Sequence, residues 1–376
     1  MKLTKFFALL CAVVAFAACE EPAPEQPQAP EATGDLTLEA DVEIGEMGKP
    51  ITFTVWQGEE GEEPVDVTAL AEIYDKNTYE KVSNPFTPAL DGSYSFYAVK
   101  GSAVSKPISL TVKEAVPVLP EDANATNLDF AHRALLVDHT GTGCPNCPRV
   151  FSGIKLLENT KYHDWFYEAF SHSYNSSDPA YSEDATNIVS QFYNSVGVLS
   201  GYPSMGGNFY DKIETGLAPQ GISTEIMDFL DDNHKAKADV GIAASAVALS
   251  TKVSVVVEVK SAKTQEYRIA YWLLEDGIYG AQAGASAAWQ STHNNAIRKV
   301  KNSTAKDLSG ESIGTIEEGK TWKSGVVEIG PLGKKWKREN LEVMIIVSAK
   351  DSQNRFNVAN VAICPVNTTI DYEYNK

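Results

Sequence analysis

Residues 134–150 read ALLVDHTGTGCPNCPRV, and their order decides how the middle of this chain must fold. Ala134 to Val137 form a short apolar run that reaches Asp138 and then a turn rich in glycine, Gly141 and Gly143, before Cys144 and Cys147. Beyond the cysteines, Val150, Phe151, Ile154 and Leu157 recur at helical spacing. The segment therefore predicts a strand, a turn and a helix, with two of the chain's five cysteines at the junction. Pro145 suits a first helical position, where no intrahelical acceptor awaits a backbone N–H, and Pro148 still lies in the first turn. The helix is expected to begin at the cysteines. A C-x-x-C can be a redox dithiol, half of a metal site or a structural disulfide.

Further along, Trp165 to Ser171 predict a second strand. Tyr181, Ala185, Ile188, Val189, Phe192 and Val196 share one helical face, with Asp178 placed to cap the start and Gly197 to end it. GYPSMGGNFYD then supplies a strand led by Pro203, and GISTEIMDFLDDNHK a last amphipathic helix. This order resembles the thioredoxin fold, in which Asp138, six residues before Cys144, would match the buried strand aspartate. Pro203, in GYPS, would match the cis-proline beside the dithiol. The T-G-x-x-C-x-x-C-P-R form of Thr140 to Arg149, with HNNAIR at His293 to Arg298, resembles the outer-membrane-protein-twenty-eight-related lipoproteins of Bacteroidetes. One departure is Gly143, where thioredoxins carry tryptophan; that side of the dithiol is expected to be less covered.

The chemistry can be argued from the residues themselves. A cysteine at a helix N-terminus feels the positive end of the helix dipole, which favours its thiolate, so Cys144 is the expected nucleophile. Cys147, one turn on, is the resolving thiol, and Asp138, its pKa raised by burial, is the acceptor for the Cys147 proton. Zinc would need His132 and His139 beside the two thiolates in a turn that makes a poor four-ligand cage, and no second C-x-x-C exists. No metal or cofactor is expected. Cys364, in VANVAICPVN, is expected in a buried strand.

Alternating patterns flank this region. Leu36, Leu38, Ala40 and Val42, then Ile51, Phe53 and Val55, then Tyr94, Phe96 and Ala98 predict an immunoglobulin-like β-sandwich over 35–114. A linker over 115–125 leads to the thioredoxin-like domain at 126–236. Val253 to Val259, Tyr267 to Leu273 and Val343 to Val347 predict a C-terminal β-sandwich at 237–376. HNNAIR reads as a corner held by side-chain hydrogen bonds or as a polar binding edge. Trp289, Trp322 and Trp336 read as core or scattered surface rather than a carbohydrate platform.

The first residues, MKLTKFFALLCAVVAFAAC, carry Lys2 and Lys5, an apolar run from Phe6 to Ala18, and small residues before Cys19. This resembles a lipoprotein signal peptide over 1–18, which takes Cys11 with it and leaves Cys19 as the lipidated first residue. Residues 19–34, rich in proline and glutamate, predict a solvated tether reaching roughly 40 Å. The acidic start resembles a surface-export signal, so an outer-membrane, lipid-anchored protein is expected, on either face.

A net charge of −18 argues against nucleic-acid partners, whose phosphates call for lysine and arginine. Two functions stand open: thiol-disulfide exchange on envelope or surface proteins through Cys144 and Cys147, and a binding or adhesion lipoprotein that uses the same domain as a scaffold.

Overall fold

The computed structural model describes residues 34–375. The signal peptide, Cys11, Cys19 and all of the tether but Gly34 lie outside the described residues. Among the described residues no helix is long and apolar enough to cross a membrane.

The chain divides into two compact units. The first comprises the described residues up to Val42, Ile51–Phe86 and Tyr94–Ser109. Its strands Asp35–Ala40 and Phe53–Gly58 pair antiparallel, and Leu36, Leu38, Phe53 and Val55 point inward at alternate positions. A second antiparallel pairing joins Glu72 to Val99 and Asp75 to Phe96, and Phe53 meets Phe96 with ring centroids 4.9 Å apart.

The second unit takes Glu43–Pro50, Thr87–Ser93 and Leu110 onward, so the expected 35–114 domain does not coincide with this division. Alternation announces strands, but not which partners their faces will meet. Asp122, from the expected linker, accepts a 2.8 Å hydrogen bond from the buried Lys260, whose ammonium also lies within 6 Å of the rings of Phe130, Tyr372 and Tyr374.

From Ala134 the second unit runs through β1 (Ala134–Thr140), α1 (Pro148–Lys155), β2 (Phe166–His172), α2 (Glu183–Ser195), β3 (Ser204–Gly207), β4 (Asp211–Ile213) and α3 (Pro219–Asn233). It continues through β5 (Val240–Ala248), β6 (Val253–Ser261), β7 (Gln265–Glu275), β8 (Ala296–Lys301), β9 (Glu311–Ile316), β10 (Leu341–Lys350) and β11 (Phe356–Pro365). β1 lies parallel to β2 and antiparallel to β3. The helices and strands expected between Ala134 and Asn233 are present in the expected order.

The boundary expected at residue 237 does not separate two sheets. One nine-stranded sheet runs β4-β3-β1-β2-β8-β7-β10-β11, with β9 also on β7, so strands from both sides of that boundary share it. A five-stranded sheet holds β5, β6 and the short strands 321–323, 327–329 and 368–370.

Side-chain parity explains the layering. Leu135 and Val137 of β1, Ala270, Trp272 and Leu274 of β7, and Met344 and Ile346 of β10 share one face, which packs on Ala185, Val189 and Phe192 of α2. On the opposite face, Tyr267, Ile269, Tyr271 and Leu273 of β7 pack with Val255, Val257 and Val259 of the five-stranded sheet. On that opposite face of β1, Ala134 and Leu136 are covered by Val150 and Ile154 of α1 and Ile222 and Ile226 of α3. The five-stranded sheet thus makes a β-sandwich with the same sheet that carries the cysteine strand. The sequence shows apolar alternation in β7 and β10; it does not show that both of their faces are buried.

Candidate functional site

The glycine turn after β1 delivers Cys144 and Cys147, which form a disulfide with their Cα atoms 5.5 Å apart. The helix begins later than expected: α1 starts at Pro148 and Cys147 is its N-cap, with Cys144 in the preceding turn. Pro148 occupies the first position, where its missing N–H costs no helical hydrogen bond. Asp138 is buried with no hydrogen-bond partner on either oxygen, and burial, reinforced by Glu168, raises its pKa well above the usual carboxylate range. Alternation along β1 puts it on the face of Ala134 and Leu136, the face that α1 covers.

The Tyr202–Pro203 peptide is cis, as the resemblance implied. Tyr202 packs against the cluster of Cys144, Cys147 and Phe151, and its hydroxyl donates to Ser173 O at 3.1 Å.

The cysteines are not open to solvent: Cys144 is 1% exposed and Cys147 0%. The segment from Gly280 to Gln290 is one cause, and no local pattern in the sequence signals it. Gln282 Nε2 donates to Cys144 O at 2.9 Å, Ala283 N to Thr142 O at 2.7 Å, and Gln290 Nε2 to Pro148 O at 3.0 Å. Gly143 does not leave its side bare either. A side chain there would begin 2.6 Å from Asn175 Nδ2 and 3.1 Å from the Tyr174 ring, so these residues fill the space a tryptophan would need.

One expected role changes. Asp178 does not cap α2, whose N-cap is Ser182. Asp178 accepts instead from Thr142 N at 2.6 Å and Ala180 N at 2.8 Å, and pairs with His172 Nδ1 at 2.9 Å. Burial alone would raise its pKa, but the His172 bond and charge and the two backbone N–H groups outweigh it and bring the carboxyl to about 2. His132 and His139 point away from the dithiol: His132 Nδ1 accepts from Lys235 N and its ring meets His234, while the His139 ring packs on Tyr193 at 5.1 Å. Cys364 is buried in β11 as expected, and burial pushes its thiol up to about 11.

His139 supports a pH prediction. It is fully buried without a partner on either ring nitrogen, and burial lowers its pKa from 6.5 to about 3. The unfolded chain then binds more protons as pH falls below 6.5, so the stability His139 contributes is complete above that value and is lost towards pH 3. At pH 5 the loss is about 2 kcal/mol. The unfolding free energy of the wild type relative to His139→Phe, from urea denaturation, should fall by that amount between pH 7 and pH 5; an unchanged difference would contradict it.

HNNAIR is a corner held by side-chain hydrogen bonds. Asn294 Oδ1 accepts from Gly277 N at 2.9 Å, Asn295 N donates to Asp276 Oδ1 at 2.7 Å, and His293 Nε2 meets Gly280 O at 3.0 Å. Arg298 Nε donates to Glu275 Oε2 at 2.7 Å, with both side chains buried. The corner also borders a cavity of about 850 Å³ that the sequence did not foretell.

Residues 193–368 match the family model of outer membrane protein Omp28. The Omp28 match is a little under half of the chain. It contains Pro203, the cover over the cysteines and HNNAIR, and it begins after Cys144 and Cys147. No curated protein sequence matches. HBP35 of Porphyromonas gingivalis is similar in structure at 15% identity and a TM-score of 0.50, over 64% of this chain and 77% of that one, a likeness of fold alone. Escherichia coli α2-macroglobulin aligns over 90% of this chain and 14% of its own at 10% identity, with a TM-score of 0.15 that carries no argument.

Proposed function

We propose that this protein is an outer-membrane lipoprotein, lipidated at Cys19 after loss of residues 1–18, whose thioredoxin-like half exchanges disulfides with envelope proteins through Cys144 and Cys147. The observation that carries the reading is the Cys144–Cys147 disulfide at a strand-to-helix turn, with Cys147 capping α1 and the partnerless Asp138 on the face that α1 covers. The Omp28 match supports the outer-membrane part.

In the exchange, a thiolate of the partner attacks Cys144 Sγ. The intramolecular S–S bond breaks, a mixed disulfide forms, and Cys147 leaves as a thiolate that takes a proton, with Asp138 as the donor. A second partner thiolate then attacks the mixed disulfide, which leaves the partner oxidised and Cys144 reduced. The reverse sequence starts from the Cys144 thiolate, and Asp138 accepts the Cys147 proton.

Cys147→Ser should trap mixed disulfides between Cys144 and envelope proteins, seen as bands on non-reducing gels that vanish in Cys144→Ser/Cys147→Ser. Absence of such bands, together with no disulfide reductase or oxidase activity in the wild type, would leave the non-catalytic scaffold as the function. For the anchor, Cys19→Ser should move the protein out of the membrane fraction, and unchanged fractionation would count against lipidation.

A further inference from the structure

The cavity beside HNNAIR lies on the α1 side of β2, where Phe166, Glu168, Phe170 and His172 project at alternate positions. Its volume is within the usual range for sites that hold a small organic molecule. Phe151 of α1 and Trp289 add aromatic wall, the rest of the lining is largely polar and charged, and three of its polar residues hold a buried atom without a hydrogen-bond partner.

Those polar groups share one character. His172 is 2% exposed; its Nδ1 pairs with Asp178 at 2.9 Å, and its Nε2 is buried without a partner. Glu168 Oε1 accepts from Asn295 Nδ2 at 3.4 Å, whereas Oε2 is buried without a partner. Glu342 Oε1 is likewise buried and unpartnered. Two carboxyl oxygens and one imidazole nitrogen around one cavity thus lack a partner, a costly arrangement for buried polar atoms unless a ligand completes it. The cations on the wall are already engaged: Lys155 pairs with Glu158, and Arg133 with Glu373. The cavity therefore keeps an excess of acceptors and of acid.

We infer that this cavity binds a small organic cation, an amine or guanidinium compound, whose N–H donors meet Glu168 and Glu342 while its carbon skeleton lies against Phe151, Phe170 and Trp289. The inference does not rest on the thiol chemistry, because none of these groups has to react with the disulfide. Burial raises the Glu168 carboxyl to about 7 and Glu342 to about 8, so an arriving cation finds acids ready to ionise beside it. It also gives HNNAIR a second meaning: the corner that Asn295 turns, at φ 51°, is what brings its amide to Glu168.

The test is calorimetric titration of the full-length chain at pH 8 with three probes, agmatine, spermidine and tyramine, and with neutral 1,4-butanediol as the control. At least one amine should bind saturably at one site, and Glu168→Gln/Glu342→Gln should weaken it about tenfold or more, the loss expected for hydrogen bonds to charged groups. The exposed pair Glu62→Gln/Glu63→Gln should leave binding unchanged and so separates the cavity from the chain's general acidity. Near-UV circular dichroism checks that the double variant is folded; if it is not, Glu342→Gln alone is titrated. Failure of all three amines to bind, equal binding by wild type and cavity variant, or equal weakening by the surface pair would overturn the inference. None of these results depends on the outcome of the mixed-disulfide trapping.

Discussion

Gly284→Ala is expected to speed reduction of the Cys144–Cys147 disulfide about tenfold. Gly284 has φ +72°, and a Cβ there would lie 2.1 Å from Pro145 O, inside the loop between the two cysteines. Left-handed backbone costs an alanine about 1–2 kcal/mol. Since about 1.4 kcal/mol is tenfold in an equilibrium, that penalty alone shifts the cover towards its open state by about tenfold, before the clash with Pro145 is added. Opening breaks the bonds of Gln282 to Cys144 O and of Ala283 to Thr142 O, and exposes sulfur atoms that are now shielded. The measurement is the rate at which thiols appear under a fixed excess of a phosphine reductant, followed by alkylation. Gln282→Ala should fall between wild type and Gly284→Ala, because it removes a tie without straining the backbone. Equal rates in all three proteins would mean that the Gly280–Gln290 segment does not control access, and the thiol reading would need another entry path.

Arg298→Ala is expected to destabilise the protein by about 3–5 kcal/mol, because it strips a buried carboxylate of its counter-charge. The Arg298 and Glu275 side chains are only 5% and 4% exposed. Besides Glu275, the guanidinium reaches Tyr181 O at 3.3 Å and Pro179 O at 3.1 Å, so it also fixes the loop that carries Asp178. Glu275 would keep the Lys337 N–H, at 2.9 Å, but not the charge. Arg298→Met/Glu275→Met should recover much of the loss, since replacing both members of a buried pair by apolar groups is often close to neutral. Chemical denaturation of Arg298→Met, Glu275→Met and the double variant measures the coupling. A loss below about 1 kcal/mol for Arg298→Ala, the range of exposed pairs, would show that water reaches the site.

The two variants bear on different parts of one device. Arg298 and the HNNAIR corner hold the loop with Asp178, Asp178 orients His172 towards the cavity, and the segment between Gly277 and the corner covers the cysteines. Stability, access to sulfur and the cavity wall are thus linked through residues 275–298, which fall inside the Omp28 match although the cysteines do not.

Local chemistry made much of this legible from sequence. Apolar alternation marked the strands, helical spacing marked α1, α2 and α3, and the proline in GYPS marked the start of β3, because each of these signals is carried by neighbours within a few residues. The burial of Asp138 followed from its place in an unbroken apolar strand. Proline at 145 and proline at 148 both suit a first helical position, so the sequence leaves the start of α1 open; the structure places Pro148 first, after a turn in which Cys144 N donates to Gly141 O and Cys147 N to Cys144 O. The spacing of Asp178 likewise fits a cap, but a histidine from β2 and the N–H of Thr142 take the same carboxylate. The sequence by itself determined the elements, their order and the dithiol at the strand-to-helix turn. Tertiary structure decided that β7 and β10 join the cysteine strand in one sheet, that residues 280–290 cover the disulfide, and that Glu168, His172 and Glu342 meet around a cavity. Those outcomes rest on contacts between residues a hundred or more positions apart, such as Gln282 with Cys144, and no local pattern encodes which distant face will bury another.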